Sequence, residues 1–158
     1  MYGSRPLSKL ESALYVIVVS VLILVLLDRM LGYFEYAERA AVQTTLIRTE
    51  SALHMRLAYD VMRGAAPDRE AWSEHNPFEL AHMEVANFAG ERDAPDPGRL
   101  EDGKWVYDRA THQLLYVPRF LRGLSIEGGG AVLRFRLRLG APGSIPRLVP
   151  VARYRWEP

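Results

Sequence analysis

The stretch that most constrains this chain is Ser12 to Leu27, SALYVIVVSVLILVLL, sixteen residues in which Ser12 and Ser20 are the only polar interruptions. As a helix rising 1.5 Å per residue it covers roughly 24 Å, a little less than the roughly 30 Å hydrocarbon core of a bilayer. Leu10, Met30 and Leu31 lengthen it, with Arg29 able to reach back to the interface. A buried soluble helix this apolar all round needs a far larger protein about it than 158 residues supply. A transmembrane helix over residues 10–31 is therefore expected, with the lipid bilayer as its partner. A cleaved signal peptide is the competing reading, with Arg5 and Lys9 as its charged region. No small-x-small site follows the run; Asp28-Arg29-Met30-Leu31 does, which argues for an uncleaved anchor. The positive-inside rule then places residues 1–9 in the cytoplasm and the remainder outside, periplasmic if the membrane is a bacterial inner membrane.

The helix does not stop at the membrane. From Asp28 to Arg63 there is no Pro and one Gly, Gly32. Val42, Leu46, Leu53, Leu57 and Val61 recur on one face, with Thr49 filling the gap, while Glu35, Glu38, Arg39, Arg48, Glu50, Arg56 and Asp60 fall mostly elsewhere. The spacing predicts one continuous helix from Leu10 to Arg63, roughly 80 Å long. Its soluble half is 32–63, and Gly64 and Pro67 end it. Gly32 is the one weak point at the membrane surface and a candidate hinge between anchor and domain. An apolar stripe on a wet helix needs a surface to cover it.

Residues 104–158 supply that surface. Lys104–Tyr107 and Gln113–Phe120 read as a hairpin across 108–112, with Pro118 shortening the second strand. Ala131–Leu139 alternates strictly, Leu133, Phe135, Leu137 and Leu139 against Arg134, Arg136 and Arg138; it is followed by a Gly140–Gly143 loop. Leu148–Trp156 reads as a fourth strand with Arg153 and Arg155 on its polar side. The expected fold is α+β, a long helix packed on a roughly four-stranded antiparallel sheet with one greasy and one arginine face. The region before it, 64–103, is rich in Pro, Gly and acids and reads as a loop with one short helix within 77–88, capped by Asn76.

Charge is uneven. Residues 64–98 carry two basic and eight acidic side chains, and residues 99–158 eleven and five. Either the acidic loop docks on the sheet or each meets an opposite partner. Arg134, Arg136, Arg138, Arg153 and Arg155 form the candidate partner-docking face. A face outside the cytoplasm on a chain of net charge +1 argues against nucleic acid.

The residues advertise no catalytic constellation. There is no Cys, hence no disulfide, thiolate zinc site or thiol nucleophile. His75, Glu79 and His82 cluster without a metal-ligand spacing. Gly128–Gly130 precedes a strand, whereas a phosphate loop opens a helix. No cofactor, metal or small-molecule substrate is expected. Glu11 lies at the cytoplasmic edge of the span, where a helix-terminal acid complements the dipole and Ser8 and Glu11 match a capping box.

Leu7-Ser8-Lys9-Leu10-Glu11 puts that glutamate five residues after Pro6. Further on, in order, come Glu38 to Leu53, Asn76-Pro77-Phe78-Glu79-Leu80, Asn87-Phe88-Ala89-Gly90-Glu91, Gly103-Lys104-Trp105-Val106-Tyr107-Asp108 and Leu114-Leu115-Tyr116-Val117. In this ordered set the chain resembles type IV pilins and type II secretion pseudopilins, and similar proteins occur with mannose-sensitive-haemagglutinin-type pilus systems. In those families a basic leader ending in Gly precedes an apolar helix with Glu at its fifth mature position. Here Pro6 replaces the Gly, and Lys9 stands where the family is apolar. The resemblance implies a non-enzymatic subunit that assembles through helix packing, with Glu11 meeting a neighbour's positive N-terminus. Its partners would be pilin or pseudopilin subunits and inner-membrane assembly-platform proteins. A bitopic platform scaffold that never polymerises is the alternative, favoured by Pro6.

Overall fold

The computed structural model describes residues 9–65, 68–140 and 144–157. Expectations that fall elsewhere lie outside the described residues: the 1–8 leader with Pro6 and Ser8, the break at Pro67, and residues 141–143 of the Gly140–Gly143 loop. The chain divides into two compact units, residues 1–37 and residues 38–158.

One helix, α1 (Lys9–Met62), runs through Gly32 without interruption. In the first unit it carries the apolar run, and Ser20 satisfies its hydroxyl on the Val16 carbonyl at 2.7 Å, a back-bond available inside lipid. At its other end Gly64 adopts φ +75, the left-handed conformation that glycine reaches at least cost, and its N–H closes on the Val61 carbonyl at 3.0 Å. Two short helices follow, α2 (Arg69–Glu74) and α3 (Pro77–Leu80). Each starts at a side-chain cap. Asp68 accepts from the Glu70 and Ala71 N–H groups, and Asn76 accepts from the Phe78 N–H with Pro77 at the first helical position.

Among the described residues the second unit has seven strands: β1 (Phe88–Arg92), β2 (Trp105–Asp108), β3 (Gln113–Tyr116), β4 (Leu124–Ile126), β5 (Leu133–Arg138), β6 (Arg147–Pro150) and β7 (Tyr154–Trp156). The fold is α+β. Five strands form one sheet in the order β1-β2-β3-β5-β6, and β4 pairs with β7 in a second. The expectation of four purely antiparallel strands is corrected in two places. First, β1 joins β2 in parallel, with a register shift between Phe88 and Glu91. The long 93–104 connection, with its 3₁₀ turn at Pro97–Arg99, carries the chain back far enough for parallel pairing, which a tight hairpin cannot do. Second, the expected Leu148–Trp156 strand breaks. Its last bond to β5 is Val151 N–H to the Arg134 carbonyl at 2.9 Å. The chain then bends at 151–152 and β7 pairs with β4, Leu124 opposite Trp156. A strand that switches sheets at a bend is the corner of a packed β structure.

The core lies between the inner sheet face and the soluble half of α1. Trp105, Tyr107, Leu114, Tyr116, Leu133, Phe135, Leu137 and Leu148 meet Val42, Leu46, Leu53 and Leu57. Trp72, Phe78 and Trp156 belong to the same cluster. Trp105 is the hub, its ring centroid 4.7 Å from Tyr116, 5.8 Å from Phe78 and 5.9 Å from Phe135. Val61, expected on the same stripe, is 58 % exposed because the last turn of α1 runs past the covered region.

Candidate functional site: an apolar helix and an arginine face

Two surfaces stand out. The first is the helix of the first unit. From Leu10 to Leu31 no large apolar side chain is less than 42 % exposed. One N-terminal helix is thus long and apolar enough to span a membrane, with none of its most apolar window buried by protein. Sixteen such side chains at roughly 1 kcal/mol or more each make removal from water favourable by on the order of 20 kcal/mol. That exceeds the typical 5–15 kcal/mol stability of a fold, so a bilayer or neighbouring helices must cover it. Glu11 sits in the first turn of α1 and is exposed. Gly32 is helical, with nothing within 4 Å of the place a Cβ would take. Beyond it Tyr33 and Tyr36 are 75 % and 63 % exposed, one turn apart, amphipathic rings of the kind that settle at a membrane–water interface.

The second surface is the outer face of β5 and β6. Arg134, Arg136 and Arg138 all project from β5 and are exposed. Arg153 and Arg155 do not extend this row: Arg153 lies at the bend and Arg155 on β7, in the other sheet, 3.4 Å from the Glu157 carboxylate. The sheet supplies a different neighbour, Arg147, directly opposite Arg138 across the β5–β6 ladder. Strand alternation made the β5 arginines legible; Arg147 needed the register. The Arg136 guanidinium donates to the Thr111 carbonyl at 2.9 Å.

The β6 edge of the five-stranded sheet offers little to a further strand, and the β1 edge is bulged. Because Val151 N–H points at β5, the outward positions at this edge are 146, 148 and 150. Two are Pro146 and Pro150, which have no N–H. The third, Leu148, donates to the Glu50 carboxylate at 2.7 Å. At the other edge β1 is bulged at Gly90, whose φ is +90. Prolines, an occupied donor and a bulge are the means by which edge strands avoid pairing with other chains.

The sequence pattern assigns Glu38 and Glu50 to the wet side of α1, whereas both belong to the packed side. Glu38 accepts three hydrogen bonds, from the Tyr116 hydroxyl at 2.7 Å and from the Arg119 and Phe120 N–H groups at 2.8 and 3.1 Å. Burial first, then the hydrogen bond to Glu38, raises the Tyr116 hydroxyl well above the usual phenol pKa. The signal was present: 38, 42, 46, 49, 53 and 57 step by four, four, three, four and four.

His75, Glu79 and His82 are not gathered. His75 turns to the Ala71 carbonyl and His82 meets Arg56, which also pairs with Asp60 at 3.4 Å. Among the described residues no group of three His, Asp or Glu side chains is placed to hold a metal. An open cleft of about 510 Å³ between α1 and β6 is lined by Ile47, Glu50, Ser51, His54, Arg147 and Val149 among others. Its carboxylate is the one engaged by Leu148. Comparison with protein-family models, with curated proteins and with solved structures yields no match.

Proposed function

We propose that this chain is a pilin-like, non-enzymatic membrane subunit that acts in assembling a type IV pilus or type II secretion filament at the inner membrane, with its folded unit in the periplasm. The observation that carries the reading is the exposed apolar surface from Leu10 to Leu31 on a helix continuous with a folded α+β unit. Such a helix serves equally to anchor in lipid and to pack beside others of its kind. Glu11, in the first turn, is where a neighbour's positive N-terminus would be met. The partners are pilin or pseudopilin subunits and the assembly platform. Pro6 favours a second reading, a bitopic scaffold of the platform that keeps its leader and stays out of the filament.

The intact mass of the protein, taken from inner membranes and from a sheared surface-filament fraction, separates the two. A species shortened by six residues in the filament fraction identifies a processed subunit. Full-length mass confined to the membrane identifies the scaffold and leaves Glu11 as a capping acid. Absence from membranes altogether defeats both.

A further inference from the structure

The second unit carries opposite charge at the two ends of its sheet. At the β5–β6 end Arg134, Arg138 and Arg147 are exposed and, among the described residues, none has an acidic partner within ion-pair distance. Arg138 and Arg147 face one another directly across the ladder, an arrangement that like charges disfavour unless an anion sits between them. At the β1 end, α3 packs Phe78 against Phe88 of β1 and Trp105 of β2, at centroid distances of 5.3 and 5.8 Å. The segment that runs from α3 into β1 presents Glu79 and Glu84, both exposed and without an ion-pair partner among the described residues; β1 itself adds Glu91, which accepts from the Asn76 amide at 2.9 Å, and one exposed cation, Arg92, so the flank keeps a net negative charge. Arg56, the cation nearest this segment in the hydrogen-bond pattern, is taken up by Asp60 and His82.

We propose that the arginine face of β5–β6 receives the acidic flank of β1 from a second copy of this chain, in a head-to-tail contact. Three observations point to a copy rather than another occupant. The two charge sets belong to one chain and complement each other, while the whole chain is nearly neutral at +1. At the β6 edge Pro146, Pro150 and the occupied Leu148 N–H disfavour strand addition, so the contact at this end is made by side chains, for which planar guanidinium groups on carboxylates are well suited. Copies anchored by the same helix in one bilayer share a polarity, which a heterologous contact accepts and which lets it repeat. This inference rests on the assembly reading above and adds to it the surface through which folded units recognise one another.

The test uses the full chain in vesicles of neutral lipid. Since there is no native Cys, Met62→Cys, at a position 85 % exposed, takes a single donor or acceptor dye. Energy transfer between copies reads self-association. R138E/R147E and E79R/E84R should each weaken association by at least about tenfold at low salt. Mixing the two reversed variants should restore transfer to the wild-type range. Unchanged tryptophan fluorescence excludes misfolding of either. Three results overturn the proposal: wild-type transfer in either variant, no restoration in the mixture, or wild-type copies that do not associate. Adding anionic lipid to the vesicles offers the arginines a competitor. If R138E/R147E alters only the response to that lipid and leaves transfer unchanged, the face binds headgroups and the proposal fails. The mass fractionation above is scored separately, so a filament subunit with inert charge reversals removes this inference alone.

Discussion

Replacing Glu38 is the sharpest probe of how α1 is held to the sheet. Its carboxylate accepts one hydroxyl and two backbone N–H groups inside a site where the residue is 9 % exposed. Hydrogen bonds to a charged acceptor contribute about 1.5–3 kcal/mol each, though not additively. Glu38→Ala strands all three donors and should cost about 3–5 kcal/mol. Tyr116→Phe removes one donor, leaves the carboxylate with two, and should cost about 1 kcal/mol. In the Glu38→Ala background the same Tyr116→Phe change should be neutral or stabilising, since the hydroxyl there has lost its acceptor. The coupling should therefore reach about 1 kcal/mol or more. Urea titration of the full chain in detergent micelles, followed by tryptophan fluorescence, measures it. Trp72, Trp105 and Trp156 are all in the second unit, so the signal reports that unit. Equal costs for Tyr116→Phe in the two backgrounds would refute the reasoning, as would a loss below about 1 kcal/mol for Glu38→Ala.

Other expectations follow the same physics. Trp105→Ala empties the hub between Phe78, Tyr116 and Phe135 and should cost about 3–5 kcal/mol by the same titration; a loss near zero would mean that the hub is not packed. The Tyr107 hydroxyl is pushed up to about 12 by burial, then by the charges of Glu91, Asp108 and Glu74. Because the unfolded chain gives up this proton first, stability is complete below pH 10 and falls between pH 10 and 12; Tyr107→Phe should flatten that fall in thermal melts, and an unchanged slope would count against it. Single cysteines at Leu24, Tyr33 and Ala40 in vesicles should show no, slow and fast labelling by an impermeant maleimide, and fast labelling at Leu24 would remove the bilayer from that position.

What could be read in advance follows from how local each cause is. The apolar run and the 3.6-residue stripe define α1, and the Leu133–Arg138 alternation defines β5, because both periods are carried by neighbouring residues. The caps at Asn76 and Gly64 are equally local. β1 is not legible locally, since Phe88–Arg92 contains Gly90 and two charges, and only the neighbouring Trp105 strand makes it a strand. The division between β6 and β7 was hidden because Ala152, Tyr154 and Trp156 keep alternating with Arg153 and Arg155 through the bend. Which arginines share a face depends on register, so Arg147 replaces Arg153 and Arg155 beside Arg138. Acids on a helix are ordinarily assigned to solvent; the hydrogen bonds that Glu38 and Glu50 accept come from donors roughly 80 and 98 positions away.

Those long separations set a schedule for biosynthesis. The membrane segment and the stripe from Val42 to Leu57 leave the ribosome first, while β5, which must cover the stripe, follows roughly 80 residues later. At about 5–20 residues per second the greasy side of a newly inserted helix waits about 4–16 s for its sheet. During that interval the nascent chain is tethered and adhesive. A holdase, or prompt docking of the stripe on a neighbour, would decide how many chains survive to maturity.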